Sequence, residues 1–255
     1  MKKIIILVTL LLFTFNYSRA QEDNPPPVQQ NHGKAFKSVL MGVKASPNIG
    51  WLNPDSKKYE SEGVIFGFSW GFMCEFAFTK NYSFVTGFNV IASNGKLNYP
   101  HMKIVSENSL IDTLTGKMSR EYKLRYLEIP LTLKMRTRDF GKFSFYGQIG
   151  LGAGFNIRAK SSDEFSYDIK NRTPVPLTAL ASESENIKDQ VTFFRLGLLI
   201  GAGAEFSLGG TTRLMAGFNY NNGLFDILTK KNTVNNSIEE DAKSSFVDFT
   251  LGILF

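Results

Sequence analysis

The sequence predicts an all-β fold, an eight-stranded antiparallel transmembrane β-barrel with short periplasmic turns and long extracellular loops. Three observations carry this prediction. Between residues 64 and 79 every even position is apolar, and most of these side chains are aromatic, whereas the odd positions include Gly, Ser, Glu and Thr. A period of two is the period of a β-strand. Seven further segments alternate in the same way, and the connections between the segments are alternately long and short, as in outer-membrane barrels.

The length of the 64–79 segment favours a membrane over a soluble core. Ordinary soluble strands have about 5 to 6 residues, and a strand that crosses a bilayer needs about 9 to 11. No internal run approaches the roughly 18 apolar residues of a membrane helix, and the mean hydropathy is only -0.11. In hydrocarbon every backbone N–H and C=O needs a partner, so strands cross only as a closed barrel.

The predicted strands follow in order along the chain. They are residues 38–46, 64–79, 82–93, 120–136, 142–159, 189–206 and 212–221, and a last strand that includes Val247 and ends at Phe255. Long polar loops are predicted at 47–63, 94–119, 160–188 and 222–243, and short turns at 79–81, 137–141 and 208–211. We take the barrel domain as residues 38–255.

The fourth strand is irregular. Leu127 and the apolar residues after it occupy odd positions, but Tyr122 and Tyr126 are even. Either a bulge lies near Tyr126, or the upper part of the strand stands clear of the bilayer. Pro130 cannot donate to a ladder, which also favours a local irregularity.

The ends of the chain indicate export. Residues 1–20 have the charged, apolar and small-residue order of a signal peptide, with cleavage expected after Ala20. Residues 21–37 are polar and contain three consecutive prolines, so a flexible periplasmic lead-in is expected. An even strand number leaves both chain ends in the periplasm. The last strand with its terminal Phe255 resembles the signal that the barrel-assembly machinery reads.

Charge and cysteine content exclude several classes. Lys+Arg number 29 and Asp+Glu 23, and removing the three basic residues of the signal peptide leaves an excess of about +3 (29 − 3 − 23). That is too weak a bias to argue for nucleic acid. Cys74 is the only cysteine, so there is no internal disulfide and no Cys-rich metal site. We expect no metal and no cofactor.

Four charged residues are predicted to face the lumen in the periplasmic half of the barrel: Glu75, Lys134, Glu205 and Arg213. Unpaired buried charge is expensive, so they should pair across the lumen. One interpretation is a structural plug of ion pairs that fixes the barrel. The alternative is a gated narrow path for ions or a small solute.

No catalytic group is evident. His32 and His101 are the only histidines, in the lead-in and in a loop, and neither has an evident Ser or Asp partner. The glycine run at 150–154 lies within a strand with no helix after it, which argues against a phosphate-binding loop. Its glycines should instead make room for bulky lumen neighbours such as Tyr146. We expect no enzyme, although carboxylate-only chemistry stays open.

Basic residues gather near the expected outer rim: Arg120, Lys123, Arg125, Arg158 and Lys160. Phosphates of lipopolysaccharide lie at that level, so a charge-paired contact is one interpretation. The other is that these are solvated charges at the ends of loops.

Three stretches resemble a known family: residues 42–51, the hairpin at 69–88, and RYLEIPLTLK at 125–134. With the last strand they resemble the PorT-like outer-membrane β-barrel family of Bacteroidota. Tyr126, Glu128 and Pro130 match its most specific motif. The resemblance implies a small outer-membrane barrel and, for PorT itself, a role in type IX protein secretion.

The function expected from these observations is that of a non-catalytic outer-membrane barrel, a PorT-like component or accessory of type IX secretion. The alternatives are a stand-alone surface-binding or adhesin barrel, a narrow porin, and a soluble lipocalin-like barrel with its apolar rows turned inward. Expected partners are outer-membrane lipid and lipopolysaccharide, the barrel-assembly machinery through the Phe255 strand, and secretion-system subunits, with no nucleic acid.

Overall fold

The computed structural model describes residues 39–107, 110–167, 180–228 and 241–255. These residues form β1 Val39–Pro54, β2 Glu60–Ser61, β3 Ile65–Ala77, β4 Tyr82–Ala92, β5 Gly95–Glu107, β6 Leu110–Arg136, β7 Phe143–Tyr167, β8 Leu180–Asn186, β9 Phe194–Gly209, β10 Thr212–Gly223 and β11 Ala242–Leu254. A single 3₁₀ turn spans Lys188–Gln190. In these ranges no helix is long and apolar enough to cross a membrane. The predicted signal peptide and lead-in, 1–20 and 21–37, lie outside the described residues.

Eight strands close into a ring. Their order is β6–β4–β3–β1–β11–β10–β9–β7, and an antiparallel β6–β7 pairing completes the circle. The first and last strands are neighbours, with Gly42 opposite Leu254. Closure leaves no free edge within the ring, as hydrocarbon requires. The predicted eight-stranded antiparallel barrel is confirmed.

The apolar rows face outward. On β3 the side chain of Phe66 is 76% exposed, whereas Glu75 on the opposite face is 5% exposed. The same division holds around the ring, where exposed outward residues include Val43, Leu131, Leu133, Phe145, Leu151, Ile200, Phe218 and Leu251. A lipocalin-like barrel needs the reverse arrangement, so that alternative is wrong.

Parts of three predicted long loops are strands. β1 continues to Pro54, β5 pairs with the first half of β6 as a hairpin, and β7 runs to Tyr167 with β8 beside it. The prediction took an outward apolar row as the sign of a strand. Above the bilayer the outward row faces water and is polar, so only the inward row, such as Leu97 and Tyr99, marks these strands.

The predicted irregularity near Tyr126 is present, but the extra residue belongs to β7. Arg125 is opposite Arg158 and Tyr126 is opposite Asn156, which leaves Ile157 between them. As a result, Arg158 is exposed, although an unbroken alternation would place it on the inward face with Asn156, and the buried position passes to Ala159. A single inserted residue reverses the side-chain alternation of the strand beyond it.

An apolar cluster fills the outer end of the lumen. It is built from strands of the ring, from β5 and from the segments before β2 and after β10, and its buried members include Leu52, Tyr59, Ile91, Leu97, Tyr99, Tyr122, Leu124, Tyr126, Ile227 and Phe246. Tyr122, Leu124 and Tyr126 share the inward face of β6 with Glu128. The inward face of β6 therefore contributes to the apolar cluster at the outer end of the lumen.

Candidate functional site: the barrel lumen

The structure brings the four predicted lumen charges together from β3, β6, β9 and β10. The Lys134 ammonium is 2.8 Å from a carboxylate oxygen of Glu75 and also donates to Glu205. The Arg213 guanidinium is 3.1 Å from the other oxygen of Glu205. Ser83 donates its hydroxyl proton to Glu75 at 2.7 Å. Glu75, Lys134, Glu205 and Arg213 are called the lower ionic cluster below.

Arg136, which is not among the four predicted residues, also belongs to this cluster. Its Nη1 lies 3.4 Å from Glu205, while Nη2 donates to the carbonyl of Lys80 in the β3–β4 turn at 2.9 Å. Arg136 has the same even parity as Lys134 on β6, so the alternation alone could have identified it. Three cations therefore surround two carboxylates.

A second ion pair lies higher in the lumen. Glu128 is predicted only as a motif residue, but its Oε2 lies 3.4 Å from Nη1 of Arg195, whose side chain is 0% exposed. Arg195 also donates to Asn221 at 2.7 Å and to the Ser244 hydroxyl at 2.8 Å. Asn221 donates in turn to Glu128 at 3.0 Å. Arg195 has the inward parity of β9 but is not among the predicted site residues.

The two other motif residues also have interior positions. Tyr126 is fully buried in the apolar cluster, and Pro130 lies opposite Gly152 of β7. A Cβ on Gly152 would lie 2.6 Å from the Glu128 carboxyl carbon, so this glycine provides the space that Glu128 occupies. Likewise, Cβ atoms on Gly203 and Gly217 would lie 2.6 Å and 2.3 Å from the Tyr146 hydroxyl.

A hydrogen-bonded layer separates the two charged levels. Asn219 donates to Asp248 at 2.8 Å and to Thr250 at 3.0 Å, and Gln148 donates to Asn219 at 2.6 Å. A cavity with a volume of about 40 Å³ crosses this layer, since its lining includes Lys134 of the lower ionic cluster, Lys44, and Glu128 of the second ion pair. One water needs roughly 10 to 15 Å³ by this measure, so the space suits a few waters and no larger solute.

The other residues considered as ligands or reactive groups lie apart from these ion pairs. In the described ranges, no group of three or more His, Cys, Asp or Glu residues could hold a metal ion. His101, predicted in a loop, lies on β5 with its ring 6.0 Å from those of Tyr99 and Phe165. His32 falls outside the described residues. Cys74 lies on the outward face of β3, partly exposed.

The basic residues predicted at the outer rim divide into two groups. Arg120 turns inward, where its Nε donates to Asp163 at 2.8 Å and Nη1 donates to Gln190 at 3.0 Å. Lys123, Arg125, Arg158 and Lys160 instead line a groove on the outside of the barrel. Pairing inside the barrel therefore accounts for one of these five basic residues, Arg120.

Comparisons with known proteins agree with this architecture. The family described as "Outer membrane protein beta-barrel domain" matches residues 20–229. No curated protein matches the chain.

Solved structures with the same general architecture are distant in sequence. Neisserial surface protein A is 14% identical, with 86% of this chain and 96% of that chain covered and a TM-score of 0.38. Ail, the attachment invasion locus protein of Yersinia pestis, is 13% identical, covering 86% and 100% with a TM-score of 0.36. OprG from Pseudomonas aeruginosa is 10% identical, covering 85% and 94% with a TM-score of 0.38.

Proposed function

Because the chain belongs to the outer membrane protein beta-barrel domain family, we propose that it acts in the outer membrane without catalysis, through contacts made at its two rims. The observation that carries this proposal is the filled lumen. The lower ionic cluster, the Glu128–Arg195 pair and the apolar cluster occupy successive levels of the interior. A narrow porin needs a continuous aqueous path, and side chains at these three levels leave a cavity of only about 40 Å³, which supports the proposal over a porin.

The finer proposal is a PorT-like component or accessory of type IX secretion. It is supported by the resemblance over residues 125–134. Tyr126, Glu128 and Lys134 of that segment are buried inside the barrel, so the motif maintains the fold and is not itself a surface for a partner. Contacts with secretion-system subunits are therefore assigned to the periplasmic rim and to the lead-in, 21–37.

A specific observation favours a second candidate, a surface-binding barrel. β4 ends at Ala92, which pairs with Arg125, but β6 begins 15 residues earlier, at Leu110. At about 3.3 Å per residue, that segment has a contour length of roughly 50 Å beyond the last β4 pair. With β5, β8 and the upper part of β7 it forms a sheet beyond the ring, which presents a surface to the exterior for binding.

Two deletions separate these candidates. One removes residues 21–37 and keeps 1–20. The other replaces residues 103–114 with Asn-Gly, a two-residue hairpin turn that closes at the Met102–Thr115 pair. Each variant is expressed in a deletion strain, with co-purification of secretion-system subunits from solubilised outer membranes and the profile of secreted proteins as readouts.

The secretion proposal predicts that the lead-in deletion loses co-purification and retains cargo in the periplasm, while the shortened hairpin behaves like the wild type. Normal secretion in the complete deletion strain would refute it. Loss of cell-surface binding with the shortened hairpin alone would support the second candidate.

A further inference from the structure

We propose that the outside wall of the barrel carries a binding site for a bisphosphorylated glycolipid of the outer leaflet. The site consists of Lys123 and Arg125 on β6, and Arg158 and Lys160 on β7, beside a groove lined by aromatic side chains. This inference goes beyond the proposed function, because it concerns a lipid ligand on the outside wall and not a protein partner.

The four cations form two cross-strand pairs of like charge. Lys123 is directly opposite Lys160, and Arg125 is directly opposite Arg158. Like charges in such positions destabilise a sheet unless an anion compensates them. Lys123 lies 3.4 Å from Glu121, and within the described ranges no carboxylate is within ion-pair distance of the other three. The site therefore has an excess of three positive charges.

The position of the pairs matches the boundary of the hydrocarbon. The outward row of β6 is apolar from Met135 to Leu127, and Arg125 is the next outward residue. Eight steps of about 3.3 Å at a tilt of about 40° correspond to roughly 20 Å of height, close to the roughly 25 Å apolar band of such barrels. On β7 the outward apolar row ends at Ile157, directly before Arg158.

The groove beside these cations supplies the apolar part of the site. Its volume is about 490 Å³, within the range of about 300 to 1,000 Å³ that is usual for ligand sites. Phe66, Phe68 and Trp70 of β3 line it together with Val90 and Ala92 of β4. The three aromatic side chains are more than half exposed. An amphiphile with its phosphates on the basic side and its chains along the aromatic side fits this division.

The charge of the site favours two phosphate monoesters over a single phosphodiester. Each monoester carries about −1.5 to −2 at neutral pH, so two of them together balance the excess of three positive charges. An ordinary phospholipid has one phosphodiester and compensates only part of that excess. Arg125 and Arg158 can each bind phosphate through two parallel N–H donors, which lysine cannot do.

The test uses the purified full-length barrel in detergent and the double variant Arg125→Gln/Arg158→Gln. The matched control is Lys80→Gln/Arg138→Gln, which removes the same charge from exposed residues of two periplasmic turns. Native mass spectrometry measures binding of bisphosphorylated lipid A, dephosphorylated lipid A and inorganic phosphate. Heat-modifiable migration on gels shows that each variant is folded.

We expect the wild type and the control to bind bisphosphorylated lipid A with similar affinity. The site variant should bind it at least about tenfold more weakly, because two charge-assisted contacts are lost. Dephosphorylated lipid A should bind the wild type as weakly as bisphosphorylated lipid A binds the site variant. Equal affinity of the wild type and the folded site variant would overturn the proposal. So would displacement of the lipid by millimolar inorganic phosphate, because the site would then select a free anion rather than a lipid.

Discussion

Glu128 and Arg195 form an ion pair at 3.4 Å although they come from β6 and β9, and β7 runs between these strands. The pair can form because β7 has glycine at 152 and 154 on its inward face, where a side chain would stand between the two groups. Gly154 is itself opposite both Glu128 and Arg195 in the two ladders. The glycine run on β7 therefore allows a buried ion pair to span three strands.

The first prediction tests this relationship with Gly152→Ala. The added Cβ would lie 2.6 Å from the Glu128 carboxyl carbon, which is held by Arg195 and Asn221. We expect a loss of about 1 to 3 kcal/mol in unfolding free energy, as for other overpacked interiors. Urea unfolding in phospholipid vesicles measures it.

The control is Gly147→Ala on the outward face of the same strand, where the nearest atom to a new Cβ is 4.0 Å away. It should change the free energy by less than about 0.5 kcal/mol. If both substitutions had the same small effect, the glycine at 152 would not be needed for the ion pair.

The second prediction concerns the cation that the lower ionic cluster shares. Lys134→Met leaves Glu75 and Glu205 buried without their common partner. Removing one member of a buried ion pair costs about 3 to 5 kcal/mol. Adding Glu75→Gln to this variant should recover part of the lost unfolding free energy. The second substitution removes the carboxylate for which no other described cation lies within ion-pair distance, whereas Glu205 retains Arg136 and Arg213. Purely additive effects in the vesicle unfolding assay would contradict the assigned coupling.

The third prediction uses the depth of the bilayer. Phe72 lies on the outward face near the middle of β3, so Phe72→Arg should destabilise the barrel by about 2 to 4 kcal/mol. Phe78 lies at the periplasmic end, beside the β3–β4 turn, and Phe78→Arg should cost only about 0 to 1 kcal/mol. Equal costs at the two depths would be inconsistent with a membrane-spanning β3.

The fourth prediction concerns pH at the outer rim. The Ser119 hydroxyl donates to Glu62 at 2.7 Å and, with Lys96 at 3.1 Å, holds the pKa of Glu62 below its usual value of 4.5. This contact therefore contributes stability above about pH 4.5, and the contribution is lost as the pH falls through the lowered pKa. In Ser119→Ala the pKa should rise towards 4.5, which carboxyl-carbon NMR titration of Glu62 would show. An unchanged titration midpoint would mean that the hydroxyl does not stabilise the carboxylate.

The sequence was sufficient for every strand of the ring, because lipid imposes an apolar outward row such as Phe66, Phe68 and Trp70. It did not reveal β5 or β8, since strands in water keep only the inward half of that signal. The grouping of Glu75, Lys134, Glu205 and Arg213 followed from parity and strand direction alone. The outward direction of the Arg158 side chain did not follow from parity, because the inserted residue at Ile157 depends on how β7 pairs with β6.

The Glu128–Arg195 contact could not be predicted from the sequence, for a different reason. Both residues had inward parity, but their contact depends on the register of two ladders through β7. Register across strands that are not consecutive in the chain cannot be obtained from alternation within each strand. Arg136, in contrast, follows Lys134 at the same parity and needed no further information.

A protein that works at its rims has an interior that is closed to ions. Single-channel recording of the purified barrel in a planar bilayer tests it most directly, with a porin in the same bilayer as the positive control. With a closed interior, we expect no stepwise conductance from the folded protein at neutral pH. Steady, reproducible conductance steps would contradict it, because ions would then pass both the lower ionic cluster and the Glu128–Arg195 pair.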